Sequence, residues 1–393
     1  LSEEQDDADL QLVTPLVLRQ IIAKEAIEKC FRDHTAYRKA GKPYSLLAVM
    51  IKNGVLTKTQ AFVLKGVSLV DLQPFPDYKF LRHVGEGGMA DVYEATYLTV
   101  KARVALKVLK TDFCLQEAYR LRFKREANIL LALDHENIVE GKEYRSHDGV
   151  DFYAMAFVDG VSVLDILDAG VALNEGMALH VASQVASALE HMRQKGIVHR
   201  DVKPGNLVVD SDGVVKIIDF GFAKVMSGMR QDTGEETTVG TVEYMSPEQA
   251  RGETNIDSRA DVYSLGATLF HMATGDLPFA GETPAEVMYG HVKKPLEFTK
   301  EQQARLSVAT IFILRKAMEK DPADRYQTPQ AMLDDINALC APQIAARGPV
   351  PAVVHEASVE AAPISIPAPR TSAPHRTRPR VRPHSRIHRR PHR

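Results

Sequence analysis

The chain has 393 residues, 45% of them apolar and 25% charged, with a formal net charge of −2. That length suits one large two-lobed domain or two to three smaller ones, and no uncharged apolar run reaches the roughly 18 residues that a membrane span needs. No signal peptide is legible either, and Cys30, Cys114 and Cys340 form no CxxC pair, so they read as reduced, mostly buried thiols of a cytoplasmic protein.

Residues 1–12 are acidic and read as a disordered N-terminus. Thr14-Pro15 reads as an N-cap followed by proline at the first helical position. Leu18, Ile21, Ile22, Ala26 and Cys30 then share one helical face. A second helix carries Leu46, Leu47, Met50 and Ile51. Thr57-Lys58-Thr59-Gln60 is a capping-box pattern that opens a third helix with Phe62 and Leu64. Residues 13–72 therefore read as a small helical module, and Pro74 and Pro76 mark a linker.

From Phe80 the period changes. Strand-like runs include Ala90–Ala95 and Arg103–Leu109, a helix is expected at about 115–132, and more strands lie near 138–158. Beyond Gly160 the pattern is mostly helical, with an amphipathic helix from Glu175 to Lys195 between Asn174 and Gly196. Thr283-Pro284 and Thr328-Pro329 repeat the N-cap/Pro signature. Strands first and helices afterwards predict an α+β protein with two segregated lobes. From Gly348 onward Pro, Ala, Arg and His dominate, and no core can form there. Residues 370–393 hold nine arginines and no acid, which leaves 40 basic against 51 acidic residues elsewhere.

Three sites carry chemistry. Gly85-Glu86-Gly87-Gly88-Met89-Ala90-Asp91-Val92 is a glycine-rich hairpin whose backbone N–H groups suit a polyphosphate, and it lacks the Lys-Ser/Thr of a P-loop. Val104-Ala105-Leu106-Lys107 places a small residue and an ammonium on one strand face, with Glu126 on the next helix as a partner for the lysine. His199-Arg200-Asp201-Val202-Lys203-Pro204-Gly205-Asn206 collects a proton acceptor, a cation and an amide within six residues of Asp201. Asp219-Phe220-Gly221 follows a strand-like run, Val214–Ile218. A carboxylate is the ordinary protein ligand for nucleotide-bound Mg²⁺.

Together these motifs resemble the eukaryotic-like (Hanks-type) bacterial serine/threonine protein kinases. Gly240-Thr241-Val242-Glu243-Tyr244-Met245-Ser246-Pro247-Glu248 stands where that family has Ala-Pro-Glu. Asp261 resembles the family's buried aspartate beneath the catalytic loop, and Arg325 its partner for Glu248. The resemblance covers about residues 78–343, with an N-lobe at 78–158 and a C-lobe at 159–343; residues 344–393 form a disordered tail. The third glycine of the loop is Ala90 and the Ala-Pro-Glu is Ser-Pro-Glu. Both changes are small for small and remove no chemical group.

The resemblance implies a two-lobed fold, with a small antiparallel sheet and one key helix above a larger helical lobe. It also implies a non-specific serine/threonine protein kinase that uses ATP and Mg²⁺ and acts on protein substrates in signalling. The implied ATP site is Val84 to Val92 over the phosphates, Lys107 held by Glu126, Val92, Ala105 and Leu207 around the base, Ala156, Phe157 and Val158 as hinge, and Met155 at the back. Asn206 and Asp219 are the implied Mg²⁺ ligands, and Asp201 and Lys203 the catalytic pair. Arg200 beside Asp201 suggests control by autophosphorylation at Thr233, Thr237 or Thr238, with a transient homodimer as its vehicle. A pseudokinase and a small-molecule phosphotransferase are the rivals; intact Lys107, Asp201, Asn206 and Asp219 oppose the first, and Ser246-Pro247-Glu248, Asp261 and Arg325 the second. The module at 13–72 reads either as partner docking or as a solubilising extension. The tail reads as a nucleic-acid contact, a contact to an anionic membrane, or a plain basic extension.

Overall fold

The computed structural model describes residues 3–42, 44–170, 173–220, 224–225 and 242–344. Five helices come first: α1 (Glu3–Leu18), α2 (Lys24–Lys39), α3 (Leu46–Lys52), α4 (Lys58–Leu64) and α5 (Leu69–Leu72). Their own core gathers Val13, Leu16, Ile27, Cys30, Leu47, Val49 and Met50. From Glu3 the acidic start is helical, and residues 1 and 2 lie outside the described residues. Asp9 is buried, where its carboxylate accepts from the Leu47 N–H at 3.0 Å, in the first turn of α3, and faces Lys65 Nζ at 3.6 Å. A carboxylate at a helix N-terminus satisfies an otherwise orphaned donor.

The expected helix start at Thr14-Pro15 is also displaced. Both residues lie inside α1, and Thr14 bonds back to the Leu10 carbonyl at 2.7 Å. The apolar face expected from Leu18 to Cys30 is broken between α1 and α2, and Leu18 is 77% exposed. Phe62 likewise points outward from α4. The Thr57–Gln60 capping box forms as expected.

A five-stranded antiparallel sheet follows, in the order β1-β2-β3-β5-β4. Its strands are β1 (Tyr78–Glu86), β2 (Ala90–Tyr97), β3 (Ala102–Leu109), β4 (Gly141–His147) and β5 (Val150–Ala156). Between β3 and β4 run the short α6 (Thr111–Cys114) and the longer α7 (Glu117–Leu131), which packs beside β4. The inward residues Val104, Leu106 and Val108 of β3 meet Phe152 and Ala154 of β5 in one core.

The second lobe holds β6 (Gly160–Ser162), α8 (Val163–Asp168), α9 (Glu175–Gln194), β7 (Ile197–Val198), β8 (Leu207–Asp210), β9 (Val215–Ile217), β10 (Lys224–Val225), α10 (Pro247–Ala250), α11 (Ser258–Thr274), α12 (Pro284–Lys293), α13 (Lys300–Arg305), α14 (Val308–Ala317) and α15 (Pro329–Ile344). α9 starts on the Asn174 cap and stops before Gly196, whose φ of 70° ends the helix. α11 is buried along nearly its whole length and lies against α9 and α14. Gly266 permits that approach, since a Cβ there would meet Ala317 and Met318 at 2.9 Å. The α+β, two-lobed expectation agrees with this architecture. Among the described residues no helix is long and apolar enough to cross a membrane.

Candidate active site

The cleft between the lobes is assembled from β3, α7 and the loops around β7 to β9. Lys107 lies in mid-β3, opposite Val92 of β2 and Tyr153 of β5. Its Nζ donates to Glu126 Oε1 at 2.6 Å and to Asp219 Oδ1 at 2.8 Å. Burial pushes the Lys107 ammonium down, but the two carboxylates more than reverse this and hold it well above its ordinary value. Tyr153, which sequence reasoning missed, donates from its hydroxyl to the same Glu126 oxygen at 2.6 Å. A buried carboxylate with two donors is fixed in one rotamer. The helix and the strand are thereby locked in register, and Asp219 is drawn to the same cation.

The residues of the 199–206 loop lie next to this set. Ile218 N–H donates to the Asn206 carbonyl at 3.1 Å, which joins the segment carrying Asp219 to that loop. Asn206 Nδ2 donates to both the Asp201 carbonyl, at 2.8 Å, and its carboxylate, at 2.9 Å. Lys203 Nζ lies 2.9 Å from the same Asp201 oxygen, Oδ2. Both hydrogens of the Asn206 amide are thus spent on Asp201. Its remaining coordinating atom is a carbonyl oxygen, which, with the carboxylate of Asp219, is a hard-oxygen pair of the kind Mg²⁺ takes. The residues present fit that ion.

The loop that carries Asp201 is held from beneath. Asp261 of α11 accepts from the N–H groups of His199 and Arg200, both at 2.8 Å. Burial raises the Asp261 pKa, and His199 and the two N–H groups partly offset this. Arg200 has φ 70°, a conformation costly for a side chain with a Cβ. The two Asp261 bonds, together with Gln249 Nε2 donating to the Arg200 carbonyl at 2.7 Å, hold it there. Thr268 bonds the Val202 carbonyl at 3.2 Å. Gln249 and Thr268 were not singled out from the sequence. The readable signal for Gln249 was the Ser246–Gln249 capping box, which forms and leaves the amide nitrogen free to reach the loop.

Glu248 and Arg325 meet as anticipated, in a buried bidentate pair at 2.7 and 2.8 Å. Arg325 also donates to the carbonyls of Arg259, Glu319 and Lys320, so the guanidinium is fully used. Removing either partner would strand a buried charge, at a cost of roughly 3–5 kcal/mol.

The glycine-rich segment is the hairpin between β1 and β2, with Gly85 opposite Val92 and Glu86 opposite Asp91. At Gly87 an added Cβ would meet the Ala90 carbonyl at 2.6 Å, so the turn closes only without a side chain. Val84 and Ala90 are buried, Met89 packs on the core, and Gly88 faces open space. Glu86 and Asp91 are neighbours in this hairpin. They flank Lys110 Nζ at 3.2 and 3.4 Å, and the Lys110 N–H bonds the Met89 carbonyl at 2.9 Å. Ala105 pairs with Met155 across the sheet, and Leu207 is fully buried below. Phe157 carries Arg103 over its ring at 4.4 Å, and Val158 packs on the core. Thr233, Thr237, Thr238 and Thr241, and the side chain of Lys224, lie outside the described residues.

A protein kinase domain family matches residues 78–335. The chain is 38% identical over 262 residues to a probable serine/threonine-protein kinase of Clostridium perfringens, covering 67% of this chain and 38% of that protein. It is 36% identical over 257 residues to the serine/threonine-protein kinase PknB of Mycobacterium leprae, covering 64% and 41%. It is also 36% identical over 259 residues to PrkC of Bacillus subtilis, a serine/threonine-protein kinase, covering 66% and 40%. The chain therefore spans only about two fifths of the length of these curated relatives. With the family match extending over most of the chain, the chain belongs to the protein kinase domain family.

Proposed function

We propose that this protein transfers the γ-phosphoryl group of ATP to serine or threonine hydroxyls of other proteins. The observation that carries the reading is the closed set Glu126–Lys107–Asp219 above Asp201, Lys203 and Asn206. A nucleotide-binding scaffold without catalysis has no need of all six. The printed names of the relatives support the serine/threonine class.

In this reading residues 78–343 are the catalytic unit. Val84 to Val92 cover the phosphates, and Val92, Ala105, Met155, Phe157, Val158 and Leu207 enclose the base. Lys107 binds the α- and β-phosphates. Asn206 and Asp219 would hold Mg²⁺, which would offset charge on the phosphates. Asp201 accepts a hydrogen bond from the acceptor hydroxyl and takes its proton as the new O–P bond forms. The bond between the γ-phosphorus and the bridging oxygen breaks, and ADP leaves with that oxygen. Lys203 offsets charge on the group in transit. Positioning and electrostatics supply most of the rate in such transfers.

Control by phosphorylation belongs to the same reading. Burial lowers the Arg200 pKa, partly offset by Asp261, and its Nε is buried with no hydrogen-bond partner among the described residues. A phosphate on Thr233, Thr237 or Thr238 would supply the missing anion.

The test is labelled ATP with Mg²⁺ and a generic basic protein. Label is expected on Ser or Thr, falling about a hundredfold to ten-thousandfold in Asp201→Asn. Retention of ATP with no label on any protein would instead make the chain a pseudokinase. Replacing all three threonines with alanine should lower activity, and unchanged activity would remove the regulatory part.

A further inference from the structure

Two histidines outside the catalytic set hold one short turn from below. Val242–Tyr244 forms a single 3₁₀ turn just before Ser246 and α10. α10 is joined to the catalytic loop through Gln249 and the Arg200 carbonyl, one residue from Asp201. The turn ends five residues before Gln249, so it is tethered to the loop that carries Asp201 and offers a bed for a protein segment presenting its hydroxyl there. The Glu243 carbonyl in the turn lies 3.0 Å from His291 Nε2 on α12. The next residue, Tyr244, bonds through its hydroxyl to His271 Nδ1 on α11 at 2.7 Å.

The hydrogen positions at His291 follow from the partners. A carbonyl only accepts, so Nε2 carries the proton and donates to Glu243. Nδ1 is then the acceptor for the Tyr263 hydroxyl at 3.0 Å. The Tyr263 oxygen in turn accepts from Lys320 Nζ at 3.3 Å, and Lys320 also donates to the Gly290 carbonyl at 3.3 Å. The result is a directed chain, Lys320 to Tyr263 to His291 to the turn. The Tyr263 hydroxyl and the His291 N–H each have an acceptor, and His291 is fully buried between the rings of Tyr263 and Phe279. Burial, with the Lys320 charge adding to it, pushes the imidazole pKa down to about 4, so the ring is neutral and the tautomer stays fixed at neutral pH.

We propose that His291 is a positioning residue for acceptor-protein binding: its Nε2–H fixes the Glu243 carbonyl and so shapes the turn on which the substrate segment lies. The inference rests on the kinase reading above. Among the described residues the run of bonds from Lys320 to Glu243 includes none of Lys107, Glu126 and Asp219. A distortion of the turn is thus expected to appear in protein affinity before it appears in ATP affinity.

The experiment compares the full chain with His291→Phe, which keeps a ring and removes both bonds, and His291→Gln, whose amide can still donate to Glu243. KM is measured separately for ATP and for a generic basic protein, with melting temperature alongside. In His291→Phe the protein KM should rise about tenfold while the ATP KM stays within about twofold, and His291→Gln should recover most of the loss. If His291→Phe does not fold, His291→Asn, whose shorter amide stops short of the carbonyl, takes its place with the same expectation. An unchanged protein KM in an active variant overturns the proposal. So do equal losses in both KM values that track melting temperature in the Phe and Gln variants alike. Wild-type protein that transfers no label overturns the kinase reading itself, a result distinct from an active wild type with an insensitive His291 variant.

Discussion

At the scale of single residues, buried histidines tie stability to pH. The His291 imidazole sits at about 4 against an ordinary 6.5. Below about pH 6.5 the unfolded chain takes up a proton that the folded site refuses until about pH 4, so stability falls as pH falls through that window. The full effect is roughly 3 kcal/mol. Burial lowers His135, His191 and His271 in the same direction. Urea midpoints measured between pH 7 and 4.5 should therefore decline, and His291→Gln should show a visibly shallower decline than the wild type. Parallel slopes would refute the assignment. Such residues were illegible in the sequence because their partners are far off: Tyr263 and Glu243 lie 28 and 48 positions from His291. Lys107, Asp201 and Asp219 were legible because their chemistry needs fixed spacings along the chain. Tyr153 was not, since any large residue at that point of β5 gives the same strand pattern.

At the scale of elements, the sequence marked helix and strand interiors well and some ends badly. α9, with Asn174 before it and Gly196 after it, matched because both ends carry local chemistry. The start of α1 did not. Thr14-Pro15 has the composition of a helix start, but Asp9 is held from outside by the Leu47 N–H of α3 and by Lys65 just after α4, and the helix extends back past the proline. The Thr57–Gln60 box was readable as a cap but not as a clamp. Thr57 Oγ1 donates to the Asp148 carbonyl at 2.6 Å, Thr59 gives two bonds to the Asp148 carboxylate at 2.8 and 2.7 Å, and Gln60 donates to the Gly149 carbonyl at 2.7 Å. Asp148-Gly149, both at positive φ, is the two-residue turn between β4 and β5. An added Cβ at Gly149 would meet Thr57 at 2.6 Å and Gln60 at 2.7 Å, in a backbone conformation that already disfavours it. Gly149→Ala should therefore cost about 2–3 kcal/mol in chemical denaturation. A loss under half of that would mean the contact yields easily.

At the scale of the whole molecule, two cores meet across a polar seam. Among the described residues the α1–α4 core holds ten buried apolar residues, far fewer than the core shared by the sheet and the helical lobe. Leu115, between α6 and α7, packs against the smaller core, and Arg19 faces Asp112 of α6 at 3.6 Å. The helical module thus leans on the segment that leads into α7, the helix that carries Glu126. A small core with a hydrogen-bonded seam opens at lower free energy than a large one. Amide hydrogen exchange should show α2 and α3 exchanging before α9 and α11. Asp148→Ala, which removes the carboxylate that Thr59 bonds, should widen that gap. Uniform protection across both cores would show that they open as one unit.

The Asp148–Gly149 clamp also changes where this molecule can be rewired. A hairpin tip is ordinarily the easiest place to splice in a reporter or an affinity tag, because little beyond the turn depends on it. The tip at Thr99–Lys101 keeps that freedom, with Leu98 and Val100 open to solvent. The tip at 148–149 has lost it. Extra sequence there would pry the helical module off the sheet, so the same graft that is a neutral label on one hairpin becomes a wedge on the other.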